Sequence, residues 1–115
     1  MAPTACDYPK SERLRCRSDY LELAARGNKV HTASFIIVWA ITERQQTRFG
    51  ATVSRKVGNA VVRNRLKRCL REYYRLHKQM FTAADFNIIA KQRAASLSFG
   101  DISRELDRAL IRLHT

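Results

Sequence analysis

The chain has too few cysteines, in unsuitable spacing, for a disulfide framework or a structural zinc site. Its three cysteines, Cys6, Cys16 and Cys69, are an odd number, and no two of them have C-x-x-C spacing, so neither feature is indicated. Acidic residues are also scarce, with 10 Asp and Glu against 22 Lys and Arg in 115 residues. The resulting formal charge of +12 indicates a polyanionic partner, such as nucleic acid or an anionic membrane.

Long hydrophobic runs are absent as well. The longest, Phe35 to Ile41, is far shorter than a membrane-spanning helix requires, and residues 1–20 carry charges where a signal peptide would be apolar. We therefore expect a cytoplasmic protein with no membrane partner. A protein lying on a membrane surface would place Trp, Phe and Leu opposite a cationic helix face, whereas Trp39 falls in a predicted strand.

Turn and capping signals divide the chain into a short lead-in and one domain. Residues 1–10, which contain two prolines, are predicted to be a flexible N-terminal segment, and residues 11–115 a single domain. The predicted order is αββαβα, an α+β fold. The predicted elements are a helix from Ser11 to about Gly27, a hairpin of strands Ser34–Thr42 and Phe49–Ser54, a helix from Asn59 to about Lys78, a strand Asp85–Lys91, and a last helix from near Asp101.

The helix from Asn59 to Lys78 has one apolar and one cationic side. At about 100° per residue, one arc is predicted to pack on the sheet and contains Val62, Leu66, Cys69, Leu70, Tyr73 and Leu76. A separate arc contains Arg63, Asn64, Lys67, Arg68, Arg71, Arg75 and Lys78, with Arg65 apart from it. A surface helix that is only solvated usually mixes charges, whereas Glu72 is the one acid between Arg55 and Lys78. An arginine-rich strip of this kind favours RNA, whose phosphates and bases suit guanidinium groups.

The stretch from Arg48 to Arg75, RFGATVSRKVGNAVVRNRLKRCLREYYR, resembles the signature of the bacterial ribonuclease P protein family. Its Arg-Asn-Arg element matches residues 63–65, and the resemblance extends over roughly residues 11–113. It implies a compact α/β sandwich, like the second domain of ribosomal protein S5. The implied mixed sheet has one strand more than periodicity predicts and a left-handed βαβ crossover, whose handedness no sequence pattern can reveal.

The resemblance also implies a subunit that binds the catalytic RNA of ribonuclease P, one protein per RNA, and the 5′ leader of precursor tRNA. It would assist endonucleolytic removal of the leader, with the catalytic centre and Mg²⁺ held mainly by the RNA subunit and none bound directly by the protein. The implied RNA-binding residues are Arg55, Lys56, Asn59, Arg63, Asn64, Arg65, Lys67, Arg68 and Arg71.

The implied leader-binding cleft lies between the first helix and the sheet and is lined by Tyr20, Ile36 and Val38. Strand alternation separates Ile36 and Val38 from the residues between them but does not decide which set faces the cleft; the resemblance favours the Ile36 set. Relatives often carry a second aromatic residue where this chain has Ala24. We therefore expect weaker stacking of leader bases here.

Catalysis by the protein itself would require clustered carboxylates or an acid–base pair among the basic residues. The acids are scattered, and His31, His77 and His114 lie on different predicted elements. The glycines between residues 50 and 58 lack phosphate-loop spacing. The alternative function is a structural RNA-binding protein of the ribosomal type, which would use the same basic helix without a leader cleft.

Overall fold

The computed structural model describes residues 8–113, with three α-helices and four strands in the order αβββαβα. The helices are α1 (Arg17–Arg26), α2 (Ala60–Leu76) and α3 (Phe99–Leu113). The strands are β1 (Asn28–His31), β2 (Phe35–Ile41), β3 (Arg48–Thr52) and β4 (Ala84–Ala90). Short 3-10 turns occupy Lys10–Glu12, Lys78–Met80 and Gln92–Ser96. The predicted α+β class is confirmed.

The four strands form one mixed sheet in the order β1-β2-β4-β3. Strand β2 is antiparallel to β1 and β4, while β3 runs parallel to β4. The predicted hairpin between β2 and β3 is therefore wrong, because β4 lies between them. Alternation along a strand determines which residues share a face but not which strand is the neighbour. Parallel β3 and β4 are joined through α2, and the handedness of that crossover stays a prediction.

The hairpin in this sheet is instead formed by β1 and β2. Strand β1 was not predicted from periodicity, because three of its four residues are exposed and no apolar alternation marks it. The expectation of a fourth strand came from the family resemblance, and it is confirmed. Glu105 of α3 holds the connecting loop, since its carboxylate accepts a hydrogen bond from the Ser34 backbone N–H at 2.7 Å.

Helices cover both faces of the sheet. On one face α2 and α3 bury the main core, in which Phe35, Ile37, Leu70 and Leu106 are fully inaccessible to solvent. On the other face α1 covers a smaller cluster that includes Val38. This division answers the question that alternation left open, because Ile36 and Val38 face α1 while Phe35 and Ile37 face the main core.

The first helix begins later than predicted. The chain from Ser11 first completes a 3-10 turn, and Leu14 then donates its backbone N–H to Phe49 O at 3.0 Å, so this segment extends the sheet beside β3 instead of forming helix. The predicted end is confirmed, since α1 stops before Gly27. Tyr8 packs against Phe49, so the described fold begins three residues before Ser11, while residues 1–7 of the predicted lead-in lie outside the described residues.

The two later helices lie close to their predicted positions. Asn59 caps α2 as predicted, its side chain accepting the Val62 N–H at 3.0 Å. The prediction that Leu76 packs inside is wrong: it is 42% exposed, whereas Tyr74 is 1% exposed, because the core reaches around α2 toward the N-terminal segment. Helix α3 begins two residues before Asp101, whose side chain pairs reciprocally with Ser98 as a capping box.

Candidate nucleic-acid interface

The exposed side of α2 forms a basic groove of about 500 Å³, which we call the α2 groove. It is lined by Tyr8, Asn64, Lys67, Arg68, Arg71, Glu72 and Arg75. The predicted residues Arg55 and Lys56 are exposed in the loop between β3 and α2. Most of the predicted RNA-binding set is therefore accessible along one side of the molecule.

Two predicted arginines differ from the others. Arg65 points away from the α2 groove and donates hydrogen bonds to the backbone oxygens of Ala95 at 2.9 Å and Leu97 at 3.1 Å. Its guanidinium therefore holds the chain segment before α3, in accord with its separate position on the helical wheel. Arg63 is half-buried, and its Nε has no hydrogen-bond partner among the described residues.

Glu72 reduces the positive charge of the α2 groove at one place. It pairs with Arg75 one turn along the helix, and the hydrogen bond from Arg75 lowers the pKa of the Glu72 carboxyl. The pair leaves Lys67, Arg68 and Arg71 without a nearby carboxylate partner among the ion pairs of residues 8–113. The wall nearest Asn64 is thus the more cationic end of the groove.

Tyr8 is a site residue that sequence reasoning missed. Its ring packs edge-on against Phe49 and Tyr74, the Arg13 guanidinium lies 4.8 Å from its centroid, and its hydroxyl donates to Phe49 O at 2.6 Å. Burial raises the pKa of Tyr8 to about 12. The one available signal was an aromatic residue in an otherwise polar lead-in, and that signal does not distinguish an anchor from a passing side chain.

Strand register arranges the α1 face of the sheet in three rows that run across the strands. The histidine row consists of His31, Ile36, Ile89 and Thr52. The central row consists of Lys29, Val38, Asn87 and Gly50. The arginine row consists of Ala40, Asp85 and Arg48. Paired residues on adjacent strands project to the same side of a sheet, so each row forms a band perpendicular to the strands.

Helix α1 lies over the central row. Tyr20 contacts Gly50 at one end of the row, and at the other end Leu23 and Val38 both approach Gly27 so closely that a Cβ there would lie 2.9 Å from Val38 Cγ1. The Tyr20 hydroxyl donates to Leu14 O at 2.9 Å, and burial raises the pKa of Tyr20. The helix therefore divides the sheet face into two grooves, one on each flank.

The groove over the arginine row, which we call the arginine groove, has mixed charges. Its volume is about 610 Å³, and α1 contributes Asp19, Glu22 and Arg26 to it. Arg48 is held in its floor by both oxygens of Asp85, at 2.9 and 2.8 Å, and by Asp19 at 3.2 Å. Its acids are poorly suited to phosphate, so this groove does not favour RNA.

The groove over the histidine row, which we call the isoleucine groove, has an apolar floor. Ile36 and Ile89 are half-buried there, next to the α1 cluster. Since Asp19, Glu22 and Arg26 lie on the opposite flank, helical geometry directs Arg17, Leu21 and Ala24 toward this groove. Leu21 is 57% exposed, which leaves apolar surface on the wall as well as on the floor.

The three residues predicted for the leader cleft occupy different places. Ile36 lies in the floor of the isoleucine groove, and Tyr20 lies where α1 meets a smaller cleft of about 260 Å³. Val38 is only 1% exposed beneath α1, so it supports the helix and offers no surface to a ligand. Ile89 and Leu21 were not predicted, because their exposure depends on which strands and helix flank meet at this groove.

Two other features bear on catalysis and membranes. Within residues 8–113, no three His, Cys, Asp or Glu side chains are placed so that they could hold a metal ion. His77 stacks on Tyr73 and its Nδ1 lies 2.9 Å from Tyr73 O, whereas His31 is on β1 and His114 lies outside the described residues. None of the helices in the described part of the chain combines the length and apolar character needed to cross a membrane.

Comparisons with known proteins agree with this geometry. The family model described as Ribonuclease P matches residues 8–114. The ribonuclease P protein component of Geotalea uraniireducens is 50% identical over 107 residues, which cover 93% of this chain and 95% of that protein. The solved RNase P protein of Staphylococcus aureus superposes with a TM-score of 0.84 at 31% identity, covering 90% of this chain and 96% of that one. For the RNase P protein from Thermotoga maritima the TM-score is 0.80 at 29% identity, with coverages of 88% and 96%.

Proposed function

Because the chain belongs to the ribonuclease P protein family, we propose that it is the RNA-binding subunit that assists removal of the 5′ leader from precursor tRNA. One observation carries this proposal. Tyr8 and Arg71 line both the α2 groove and the smaller cleft beside Tyr20. A basic surface therefore continues from α2 around the β3 edge of the sheet to α1, which suits one protein that contacts two RNA molecules at once.

The α2 groove suits the catalytic RNA. Its cations can neutralise backbone phosphates, and each phosphate neutralised on a duplex contributes about 0.9 to the slope of log affinity against log salt. The planar guanidinium groups of Arg68 and Arg71 can hold two phosphate oxygens or stack on an unpaired base. The exposed loop with Arg55 and Lys56 extends the same surface, and Asn59 caps the helix that presents it.

The isoleucine groove suits the single-stranded leader. Unpaired bases stack on aromatic and apolar side chains, and Ile36, Ile89 and Leu21 offer such a surface next to Tyr20. Val38 acts from beneath by supporting α1. With alanine at position 24, the wall lacks a second ring, and we expect weaker stacking than two aromatic residues would provide.

The chemical step belongs in this proposal to the RNA subunit, which would hold Mg²⁺ and position the water that attacks the phosphodiester. The described residues do not offer a set of donors that fits Mg²⁺, so no step is assigned to a metal on the protein. The protein's part is to screen phosphates and hold the leader. We further propose that it acts in the cytoplasm, with one protein for each RNA subunit.

The second candidate is a structural RNA-binding protein of the ribosomal type. It would account for the α2 groove but not for a half-buried apolar groove beside a helix. The test is cleavage of a precursor tRNA by a bacterial ribonuclease P RNA at low Mg²⁺, with and without this protein. Strong stimulation, with no cutting by the protein alone, is expected. Tight RNA binding without stimulation would favour the structural alternative.

A further inference from the structure

The isoleucine groove has cationic residues at both of its ends. At the β3 end the chain leaves the sheet after Thr52 and soon reaches Arg55 and Lys56, which are exposed. At the β1 end stand Lys29 and His31, both exposed on the outer strand of the sheet. The residues between these ends, Ile36 and Ile89, are apolar. This pattern resembles a channel for a single strand, with apolar contacts for bases along its length and polar contacts for phosphates at its ends.

Strand register places the β1 residues on the groove side of the sheet. His31 pairs with Ile36 and Lys29 pairs with Val38, and both partners face α1. Because paired residues project to the same side, Lys29 and His31 also project to the α1 side, at the open edge of the sheet. His31 ends the histidine row and so continues the floor of the groove, while Lys29 lies one row nearer to α1.

Neither side chain is engaged within the described part of the protein. No hydrogen bond or ion pair joins the side chain of Lys29 or His31 to another of residues 8–113. The acids of the α1 face lie on the opposite flank of the helix, where Asp19 and Asp85 bind Arg48. The nearby lysine, Lys91, is already bound to Thr32 O at 2.7 Å. The two β1 residues are thus placed for an external anion.

We propose that Lys29 and His31 bind phosphates of the precursor tRNA leader after it has crossed the isoleucine groove, so that the leader runs across the strands from β3 to β1. Three strand spacings separate these edges, roughly 14 Å, so a leader must be several nucleotides long to reach them. The inference rests on the proposed function. It adds a leader-length requirement and two phosphate contacts that the α2 groove does not supply.

The experiment measures equilibrium affinity for precursor tRNAs whose leaders are lengthened one nucleotide at a time, and for mature tRNA. Holoenzyme is reconstituted from one bacterial ribonuclease P RNA and either the natural protein or the Lys29→Ala/His31→Ala variant, with calcium in place of magnesium to prevent cleavage. Arg44→Ala is the matched control, since Arg44 is an exposed cation that lines the arginine groove on the other flank of α1.

The natural protein should gain affinity once the leader reaches β1, and the double variant should lose that gain while binding short leaders and mature tRNA normally. For single strands each phosphate contact contributes about 0.7 to the salt slope. The expected loss at about 0.1 M salt is therefore roughly fivefold per contact, with the slope reduced by about 0.7 for each. Arg44→Ala should behave as the natural protein, and Lys29→Arg/His31→Lys should retain the gain.

Two outcomes would overturn the proposal. One is a double variant that keeps the full gain with long leaders; the other is a loss of equal size for all leaders and for mature tRNA. If the natural protein shows no gain with any leader, the leader site of the proposed function fails, and this inference fails with it. Thermal unfolding of each variant checks that the exposed substitutions leave the fold intact.

Discussion

Replacing Gly50 by alanine would place a methyl group against the ring of Tyr20. An ideal Cβ at position 50 lies 2.8 Å from Tyr20 Cε1 and 2.9 Å from Tyr20 Cζ, which is too close for either group to stay in place. Gly50 is fixed by its pairing with Asn87 in the middle of the sheet, whereas Tyr20 is half-buried at the edge of α1. The ring should therefore move, and its hydrogen bond to Leu14 O should break.

The size of the effect can be worked out from these contacts. Inserting a methyl group into a packed site costs about 1 to 3 kcal/mol, of which the lost Tyr20–Leu14 hydrogen bond accounts for about 1 kcal/mol. In a Tyr20→Ala background the methyl group meets no ring, so Gly50→Ala should cost less than about 0.5 kcal/mol. The two substitutions should therefore be non-additive by about 1 to 2 kcal/mol.

Urea unfolding of the natural protein, the two single variants and the double variant measures this coupling. Additive effects, with Gly50→Ala equally costly in both backgrounds, would refute the assigned contact. Binding provides a second test, because moving or removing the Tyr20 ring should weaken precursor tRNA more than mature tRNA. Equal losses for the two substrates in Tyr20→Ala would refute the assignment of Tyr20 to the leader site.

Three further predictions concern the α2 groove and the core. Arg65→Ala should lower the free energy of unfolding by about 1.5 to 3 kcal/mol, because it leaves two carbonyl groups without a charged donor, while Arg68→Ala should change stability by less than about 0.5 kcal/mol but weaken RNA binding; urea unfolding and filter binding measure both. The raised pKa of Tyr8, about 12, means that the stabilisation from its neutral hydroxyl is fully present below pH 10 and is lost as pH rises through 12, so Tyr8→Phe should remove that part of the alkaline loss of stability in pH-dependent unfolding. Leu70→Ala should destabilise by about 2 to 5 kcal/mol and Leu76→Ala by less than about 1 kcal/mol, and equal thermal shifts would contradict the difference in burial between them.

Helix α2 and its cationic side could be predicted from the sequence because both depend on local spacing. A cap at Asn59, apolar residues three and four apart, and the scarcity of acids are all visible within one short segment. Local spacing was not sufficient for Leu76 and Tyr74, which the helical wheel placed on the wrong sides of the boundary. Where a helix is covered on more than one side, the neighbouring elements decide how far around it the core extends.

The leader groove could be predicted only in part. Alternation separated Ile36 from Phe35, but only the packing of α1 determined which set faces that helix. The roles of Tyr8 and Arg65 were missed because each depends on a partner far away in sequence, Phe49 for the tyrosine and Ala95 for the arginine. Contacts of this kind leave no periodic signal.

By itself the sequence determined the charge, the basic face of α2, the fold class and, through a specific motif, the family. These properties are carried by composition, short-range spacing and segment identity, which need no knowledge of neighbours. The tertiary structure alone decided the position of β4 between β2 and β3 and the rows that run across the strands. The physical reason is that strand pairing is long-range: any strand with one apolar face can satisfy its hydrogen bonds with several others, and only packing the whole core selects among them.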